Sequence, residues 1–139
     1  QNGSWSKTSG PVAGLDWAED VVKTTLSEVG ADKLILGVPF YVRIWQEKDG
    51  KVVKSSAVSM DYAKKTASEN GANVRYDAKI GQNIYTWPDG EYDYKIYMED
   101  ETSIKNKISL VGKYSLAGVA SWRRGFESAD IWQVIKDGI

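Results

Sequence analysis

Two short and almost uninterrupted apolar runs constrain the fold of this chain more than any other feature. Residues 34–45 read LILGVPFYVRIW, and residues 116–125 read LAGVASWRRG. Each has the length of a buried strand, and strands that are apolar on both faces are typical of parallel sheets covered by helices. Because α/β proteins bind ligands at the carboxyl ends of such strands, we expect a site where both runs end in aromatic residues and arginines.

The rest of the chain supplies helices around these two strands. Apolar residues recur at helical spacing in residues 15–29, in residues 100–114 and after Ser128. We expect Gly30 to end the first of these helices and Ser128 to cap the last. Without residues 46–97, the order is helix, strand, helix, strand, helix, which is the order of a parallel α/β sheet.

Residues 46–97 form a block of different character after the first apolar run. Asp49-Gly50 lies between two strand-like segments and is a strong hairpin signal, and Ser59 is placed to cap a helix of residues 60–70. Three short strand-like runs follow, so we predict a small α+β block inserted after the carboxyl end of the first strand. Pro39 cannot donate a ladder hydrogen bond, which predicts a bulge or the end of pairing on one side.

The residue types exclude several kinds of site. The chain has no cysteine and no histidine, which removes disulfides, thiolate chemistry, histidine catalysis and most zinc sites. The net charge of -1 offers no electrostatic case for binding nucleic acid or an anionic membrane, and no apolar run approaches the ~20 residues of a membrane helix. We therefore expect no metal ion and no cofactor, and neither nucleic acid nor membrane as a partner.

Aromatic residues and an arginine are the candidates for a binding site. Trp122 ends the second apolar run, where a flat indole either carries the apolar face of a sugar ring or plugs the end of the sheet. Tyr41, Arg43 and Trp45 alternate along one strand and so share a face. Arg43 either binds a polar ligand through its donor fork, stacks on Trp45 or pairs with an acid. Trp87 precedes a turn and is either a hairpin aromatic or a stacking residue at a rim.

Other conspicuous residues have structural interpretations. Trp17 and Trp132 lie at core spacing on helices, so we expect them to pack inside. The acidic triplet Glu99-Asp100-Glu101 begins a helix, where carboxylates stabilise the helix dipole; a catalytic pair or a metal site is the alternative. No glycine-rich phosphate loop, HExxH, EF-hand or GxSxG motif is present, so complete catalytic machinery is not visible in the chain.

Four segments in order resemble the C-terminal part of glycoside hydrolase family 18, the chitinase-like (β/α)8 barrels, and most of all its bacterial spore-cortex and cell-wall branch. QNGSWSKTSGPVAGLDW resembles the loop and helix after the sixth barrel strand, LILGVPFYVRIW the seventh strand, YMEDETSIKNKISLV the next helix, and LAGVASWRRG the eighth strand. The resemblance implies an α/β fold that is a partial (β/α)8 TIM barrel, its last two β/α units at residues 1–45 and 98–139, with a chitinase-type α+β insertion at residues 46–97.

The resemblance also implies substrate-binding residues. Trp122 matches the tryptophan that floors the sugar subsite at the cleavage point. Tyr41 and Arg43 match cleft residues after the seventh strand, although Val42 replaces the family's usual glycine. Trp87 lies in the insertion, which walls the cleft in family members. The implied partner is a glycan containing N-acetylglucosamine, in chitin or peptidoglycan, and the implied location is extracellular, at a cell wall or spore.

The family's catalytic motif, Asp-Gly-x-Asp-x-Asp-x-Glu, occurs nowhere in the chain. Its final Glu is the general acid, and a barrel needs roughly 200 residues or more. We therefore expect the C-terminal piece of a glycosidase, with no catalytic residue of its own and no activity by itself. The alternatives are a non-catalytic carbohydrate-binding module and a chain in which only residues 46–97 fold. Two barrel strands without the rest of the barrel would also have unpaired edges and bare apolar faces, which predicts a homo-oligomer.

Overall fold

The computed structural model describes all 139 residues as an α/β fold of four α-helices and two separate sheets, which confirms the expected fold class. The helices are α1 (Leu15–Leu26), α2 (Met60–Glu69), α3 (Glu101–Tyr114) and α4 (Ile131–Gly138), with a 3₁₀ helix at Ala31–Lys33. The strands are β1 (Ile35–Pro39), β2 (Tyr41–Lys48), β3 (Lys51–Ser59), β4 (Asn73–Asp77), β5 (Gln82–Asp89), β6 (Tyr92–Tyr97) and β7 (Gly118–Trp122). None of the helices has the length and apolar character needed to span a membrane.

The first sheet is a parallel pair formed by the two apolar runs. β1 and β7 pair from Ile35 opposite Gly118 to Pro39 opposite Trp122. The N–H of Phe40 then donates to the Trp122 carbonyl at 2.7 Å. The carboxyl ends of the two strands therefore lie side by side. Pro39 is the last paired residue of β1, which confirms that pairing on one side ends there.

One face of the parallel pair is covered and the other is open. Leu36 and Val38 are buried in the core together with residues of α3, whereas Ile35 is 57% exposed. Gly37 and Ala120, which share the face of Ile35 by register, are exposed as well. The expectation that these strands are buried on both faces is therefore wrong for this chain, because no element covers the face that carries Ile35.

The second sheet is antiparallel, with strand order β3-β2-β6-β5-β4. The hairpin predicted at Asp49-Gly50 joins β2 and β3, and both turn residues have positive φ, 51° and 73°, as a two-residue turn of this kind requires. β2 begins at Tyr41, directly after Phe40, so the apolar run that reads as one strand is two strands in two sheets. Residues 41–45 consequently pair within the antiparallel sheet.

One hydrophobic core joins the two sheets and the helices. Ser59 caps α2 by accepting from the N–H of Tyr62 at 3.2 Å, as predicted, and α2 packs on the antiparallel sheet. α3 contacts both β5 and the parallel pair, so it links the two sheets. The core includes Val38, Val42, Met60, Ile96, Ile104 and Ile131.

Two helix ends differ from their predicted positions. α1 ends at Leu26, so Gly30 lies beyond it and precedes the 3₁₀ helix instead of capping α1. α4 has Asp130 at its N-cap, whereas Ser128 is buried and its carbonyl accepts from the N–H of Ile131 at 3.1 Å. The two predictions were wrong by three and by two residues, a distance over which local sequence alone does not determine a boundary.

Trp17 and Trp132 lie at the surface, which corrects the expectation that they pack in the core. Trp17 on α1 is 40% exposed, and Trp132 on α4 is 48% exposed. The indole of Trp132 meets the ring of Phe40 edge-on at 5.4 Å, and its Nε1 donates to Glu127 at 3.0 Å. Helical spacing shows that a residue lies on the apolar face of a helix. It does not show whether the residue lies at the buried centre of that face or at its exposed border.

Candidate functional site

The exposed indole of Trp122 is the centre of the candidate site. Trp122 ends β7 opposite Pro39 of β1, and its side chain is 71% exposed. An open cleft of about 330 Å³ lies at the carboxyl ends of the parallel strands, and Trp17, Val38 and Tyr41 line it with Trp122. The indole thus presents an apolar surface to solvent instead of plugging the sheet, and such a surface can stack against a flat apolar ligand.

A second cavity of about 300 Å³ adjoins the first, and the two share Tyr41 and Trp122. Arg43, Arg123 and Phe126 also line this second cavity. Three of the four site residues expected from the sequence, Tyr41, Arg43 and Trp122, therefore border one continuous region of the surface.

Arg43 is held in place by neutral neighbours. One of its terminal nitrogens donates to the Ser55 hydroxyl at 2.9 Å, and its guanidinium carbon lies 5.7 Å from the centre of the Trp45 ring. Its Nε is buried and has no hydrogen-bond partner. Of the three alternatives for Arg43, the structure contains the stack on Trp45 and no ion pair with an acid, and it leaves donors available for a ligand.

Arg123 is a cleft residue that the sequence did not single out. Its guanidinium lies over the ring of Phe126, 4.2 Å from the ring centre, and a cis peptide bond joins it to Trp122. The available signal was the pair Arg123-Arg124 directly after Trp122. Which of the two arginines borders the cleft depends on the path of the chain beyond β7, and the local sequence does not specify that path.

Trp87 is the predicted site residue that does not reach this region. Trp87 pairs with Tyr94 in the β5–β6 ladder, one position from the row that contains Trp45, so it projects from the opposite face of the sheet. It is 5% exposed and stacks on Tyr94 with ring centres 5.2 Å apart. This arrangement corresponds to the hairpin aromatic, the alternative that its position before a turn favours.

The acidic triplet at the start of α3 divides into different roles. Asp100 caps α3 by accepting from the N–H of Ser103 at 2.9 Å, which is a helix-stabilising role, although the sequence predicted a dipole effect and not a cap. Glu99 instead is fully buried and accepts from Lys107 at 2.8 Å, from the Ser103 hydroxyl at 2.7 Å and from Gln82 at 2.8 Å. Burial raises the pKa of Glu99, and the Lys107 ammonium opposes that shift. Glu99 thus belongs to a buried structural network, not to the cleft.

The two cavities offer a limited chemistry. Their linings supply aromatic faces, the hydroxyls of Tyr41 and Ser121, and two guanidiniums, but no Asp or Glu side chain. No three acidic side chains of the chain lie close enough together to hold a metal ion. The arrangement can therefore bind a ring and orient polar substituents, and the two linings contribute no carboxylate to it.

Comparison with known proteins identifies the family. The model of the glycosyl hydrolases of family 18 matches residues 1–127. The chain belongs to this family. This confirms the resemblance drawn from the four segments.

Known proteins are similar to the chain in sequence and in fold. An uncharacterized glycosylase of Bacillus subtilis, YvbX, is 26% identical over 139 residues, covering 99% of the chain and 40% of the relative. The cortical fragment-lytic enzyme of the same organism is 26% identical over 138 residues, covering 96% and 32%. The crystal structure of a chitinase from Chromobacterium violaceum matches with a TM-score of 0.86 and 27% identity, covering 95% of the chain and 41% of the chitinase. The chain thus spans less than half the length of these relatives.

Proposed function

We propose that the chain is the C-terminal part of a larger (β/α)8 barrel. In this proposal, residues 1–45 and 98–139 form its last two β/α units, and residues 46–97 form the inserted α+β block. Residues 41–45 precede the block in sequence but pair within its antiparallel sheet, so they connect the two parts. Two observations support this assignment. The parallel pair β1–β7 has one open face and no partner at either outer edge, and the matched relatives extend over more than twice the length that the chain covers.

The proposed ligand is a glycan that contains N-acetylglucosamine, as chitin and peptidoglycan do. The observation that carries this proposal is the exposed Trp122 indole at the carboxyl end of a parallel strand, because the C–H face of a pyranose packs well on an indole. Tyr41 lies beside it and brings a hydroxyl group to the rim. Relatives named as a chitinase and as a cortical fragment-lytic enzyme support the same class of ligand.

We infer further that the chain binds this glycan without hydrolysing it. Neither cavity is lined by a carboxylate, and the acidic motif of the family is absent from the sequence. Within a complete barrel, this part would supply the Trp122 platform and one wall of the cleft, while the acid would come from another strand. A location outside the cell, at a wall or spore, is proposed with it, and the cortical relative supports that location.

The test combines a titration with an assay on the same preparation. A β-1,4-linked N-acetylglucosamine tetramer is added while the NMR signals of the six Trp indole N–H groups are followed. We expect the Trp122 signal to shift, the Trp87 signal to stay in place, and a chromogenic N-acetylglucosamine oligomer to remain intact. Clear turnover would contradict the inferred inactivity, and a titration without any shift at Trp122 would contradict the proposed ligand.

A non-catalytic carbohydrate-binding module is the second candidate function. The carboxylate-free cleft around an exposed Trp122 favours this function, because a site that only binds a glycan needs no catalytic carboxylate. The two functions separate when the natural full-length protein that contains this chain is assayed. Hydrolysis by that protein supports the glycosidase, and binding without hydrolysis supports the module.

A further inference from the structure

Three arginines surround the end of β7 without a carboxylate partner. Arg43, Arg123 and Arg124 take part in none of the ion pairs of the structure. The fourth arginine of the chain, Arg75, has its guanidinium 3.5 Å from the carboxylate of Asp77. The unpaired guanidiniums are therefore concentrated at the candidate site.

Two of these arginines border the same cavity. Arg43 and Arg123 line the cavity of about 300 Å³, together with Trp122 and Tyr41. Arg124 is not part of its lining. The lining contains no acidic side chain, so two positive charges face this space without compensation from the protein.

The donors of both side chains are only partly used. Arg43 has one hydrogen bond, to Ser55, and its buried Nε has no partner. The Nε has no accessible surface, so the donors of Arg43 that a ligand can reach are those of its terminal nitrogens. Arg123 contacts the ring of Phe126, and a cation–π contact supplies no hydrogen-bond acceptor, so its five N–H donors remain free of protein acceptors.

We propose that this cavity binds the oxyanion of an acidic substituent on the glycan, a carboxylate or a phosphate group carried by a sugar at or next to the ring on Trp122. The inference rests on the proposed function, since it assigns a specificity to the same cleft. The planar fork of an arginine matches both oxyanions through paired hydrogen bonds. A neutral glycan offers hydroxyl and acetamido acceptors but leaves the two charges uncompensated.

The position of Trp122 connects the two cavities. Because Trp122 lines both, a sugar stacked on it has its substituents, or those of its neighbour, next to Arg43 and Arg123. A space of about 300 Å³ lies at the small end of ligand sites, which suits one acidic group and part of one ring. The cleft therefore discriminates acidic glycans from neutral chitin-type chains.

The test uses the 139-residue chain and three matched tetramers. One is the neutral N-acetylglucosamine tetramer, one carries a 3-O-lactyl carboxylate on alternate rings, and one carries 6-O-phosphate groups. We expect at least one acidic tetramer to bind about tenfold more tightly than the neutral one, as a charge-assisted hydrogen bond implies. This preference shrinks as salt is added, because salt screens charges at a partly open site. The comparison between the two acidic tetramers shows which oxyanion the cavity takes.

Variants assign the preference to particular side chains. Arg43→Gln and Arg123→Gln, made separately, are each expected to reduce severalfold the ratio of the affinity for the acidic tetramer to that for the neutral one. Arg124→Gln is the matched control, since it removes the same charge one residue away from Arg123 and outside the cavity lining. Arg124→Gln should retain the wild-type preference.

Each outcome bears on a different statement. Equal affinity for neutral and acidic tetramers overturns the acidic specificity and leaves the proposed function in place. The acidic specificity of the cavity is also overturned if Arg124→Gln loses the preference to the same extent as Arg123→Gln. The general positive charge of this region would then explain the preference without the cavity. No binding of any tetramer overturns the inference together with the proposed function. Thermal unfolding is recorded for each variant, and if Arg43→Gln is unfolded, the exposed Arg123→Gln decides alone.

Discussion

Trp45 and Trp122 show how two tryptophans near the same cleft take opposite roles. Trp45 is fully buried, and its Nε1 donates to the Gly10 carbonyl at 3.1 Å, so its polar atom is satisfied inside the protein. This bond holds the N-terminal loop on the antiparallel sheet. Trp122 is exposed at the end of β7. One indole therefore anchors the N-terminal loop, and the other is exposed to solvent at the cleft.

The buried pair of Glu99 and Lys107 predicts that Glu99 and Glu101, two positions apart, contribute very differently to stability. Glu99→Gln leaves the Lys107 ammonium buried without an opposite charge, and we expect a loss of about 3–5 kcal/mol in the free energy of unfolding by urea. Glu101→Gln is the control: it removes an exposed ion pair with Lys64, worth at most about 1 kcal/mol. Similar losses in the two variants would show that the buried network does not contribute as described.

At the scale of elements, two glycines give opposite predictions for the same substitution. Gly50 in the β2–β3 hairpin has a φ of 73°, and Gly112 lies inside α3; an added Cβ meets no atom within 4 Å at either position. The effect of alanine is therefore conformational. Gly50→Ala should lower the free energy of unfolding by about 1 kcal/mol, and Gly112→Ala should raise it by about 0.5–1 kcal/mol. Chemical denaturation measures both, and a stabilising Gly50→Ala would contradict the turn geometry.

The contact between α1 and α3 predicts part of the acid sensitivity. Hydrogen bonds to Glu19 from Lys113 first, and then from Tyr114, lower the pKa of Glu19 to about 2. Because this pKa is depressed in the folded state, the stabilisation is present above the unfolded pKa of 4.5 and is lost as the pH falls toward 2.

When the pH is lowered through this range, the melting temperature of the Glu19→Gln variant should therefore fall less than that of the wild type. Asp20→Asn on the same helix is the control, since the Asp20 side chain makes no ion pair, and it should keep the wild-type acid sensitivity. Equal acid sensitivity of Glu19→Gln and the wild type would contradict the role of this contact.

Local signals in the sequence predicted local structure, and they failed where the outcome depends on distant partners. Asp49-Gly50 and Ser59 predicted a turn and a cap because the residues that make these features are adjacent in sequence. The face on which Trp87 projects depends on its register with β6, and the burial of Glu99 depends on Lys107 and Gln82. Neither the strand register nor the contacts of Glu99 can be inferred from a single sequence.

The same distinction applies to the candidate site. Trp122 and Arg43 follow from apolar runs that end in an aromatic residue or an arginine, whereas the inclusion of Arg123 follows from the chain path after β7. Apolar character alone predicted cover on both faces of the parallel pair, whereas the resemblance to a partial barrel predicted a bare apolar face, and the exposed Ile35 agrees with the second prediction.

At the scale of the whole molecule, the unpaired edges of β1 and β7 predict self-association. The two strands pair only with each other, and the face that carries Ile35 and Ala120 is open. Unpaired strand edges and exposed apolar surface favour association with another copy of the chain. Light scattering combined with size-exclusion chromatography should therefore give a molar mass that rises with protein concentration. A constant monomer mass at high concentration would contradict this prediction.

The measurement that tests the central claim most directly compares two tryptophans that are both exposed. Trp122→Ala and Trp132→Ala each remove an indole from the surface, and only Trp122 lines the cavities at the end of β7. Calorimetric titration with the N-acetylglucosamine tetramer should show affinity reduced about tenfold in Trp122→Ala, the size expected for a lost stacking contact, and unchanged in Trp132→Ala. Wild-type affinity in Trp122→Ala, with the fold intact by circular dichroism, would contradict the assignment of this cleft as the glycan site.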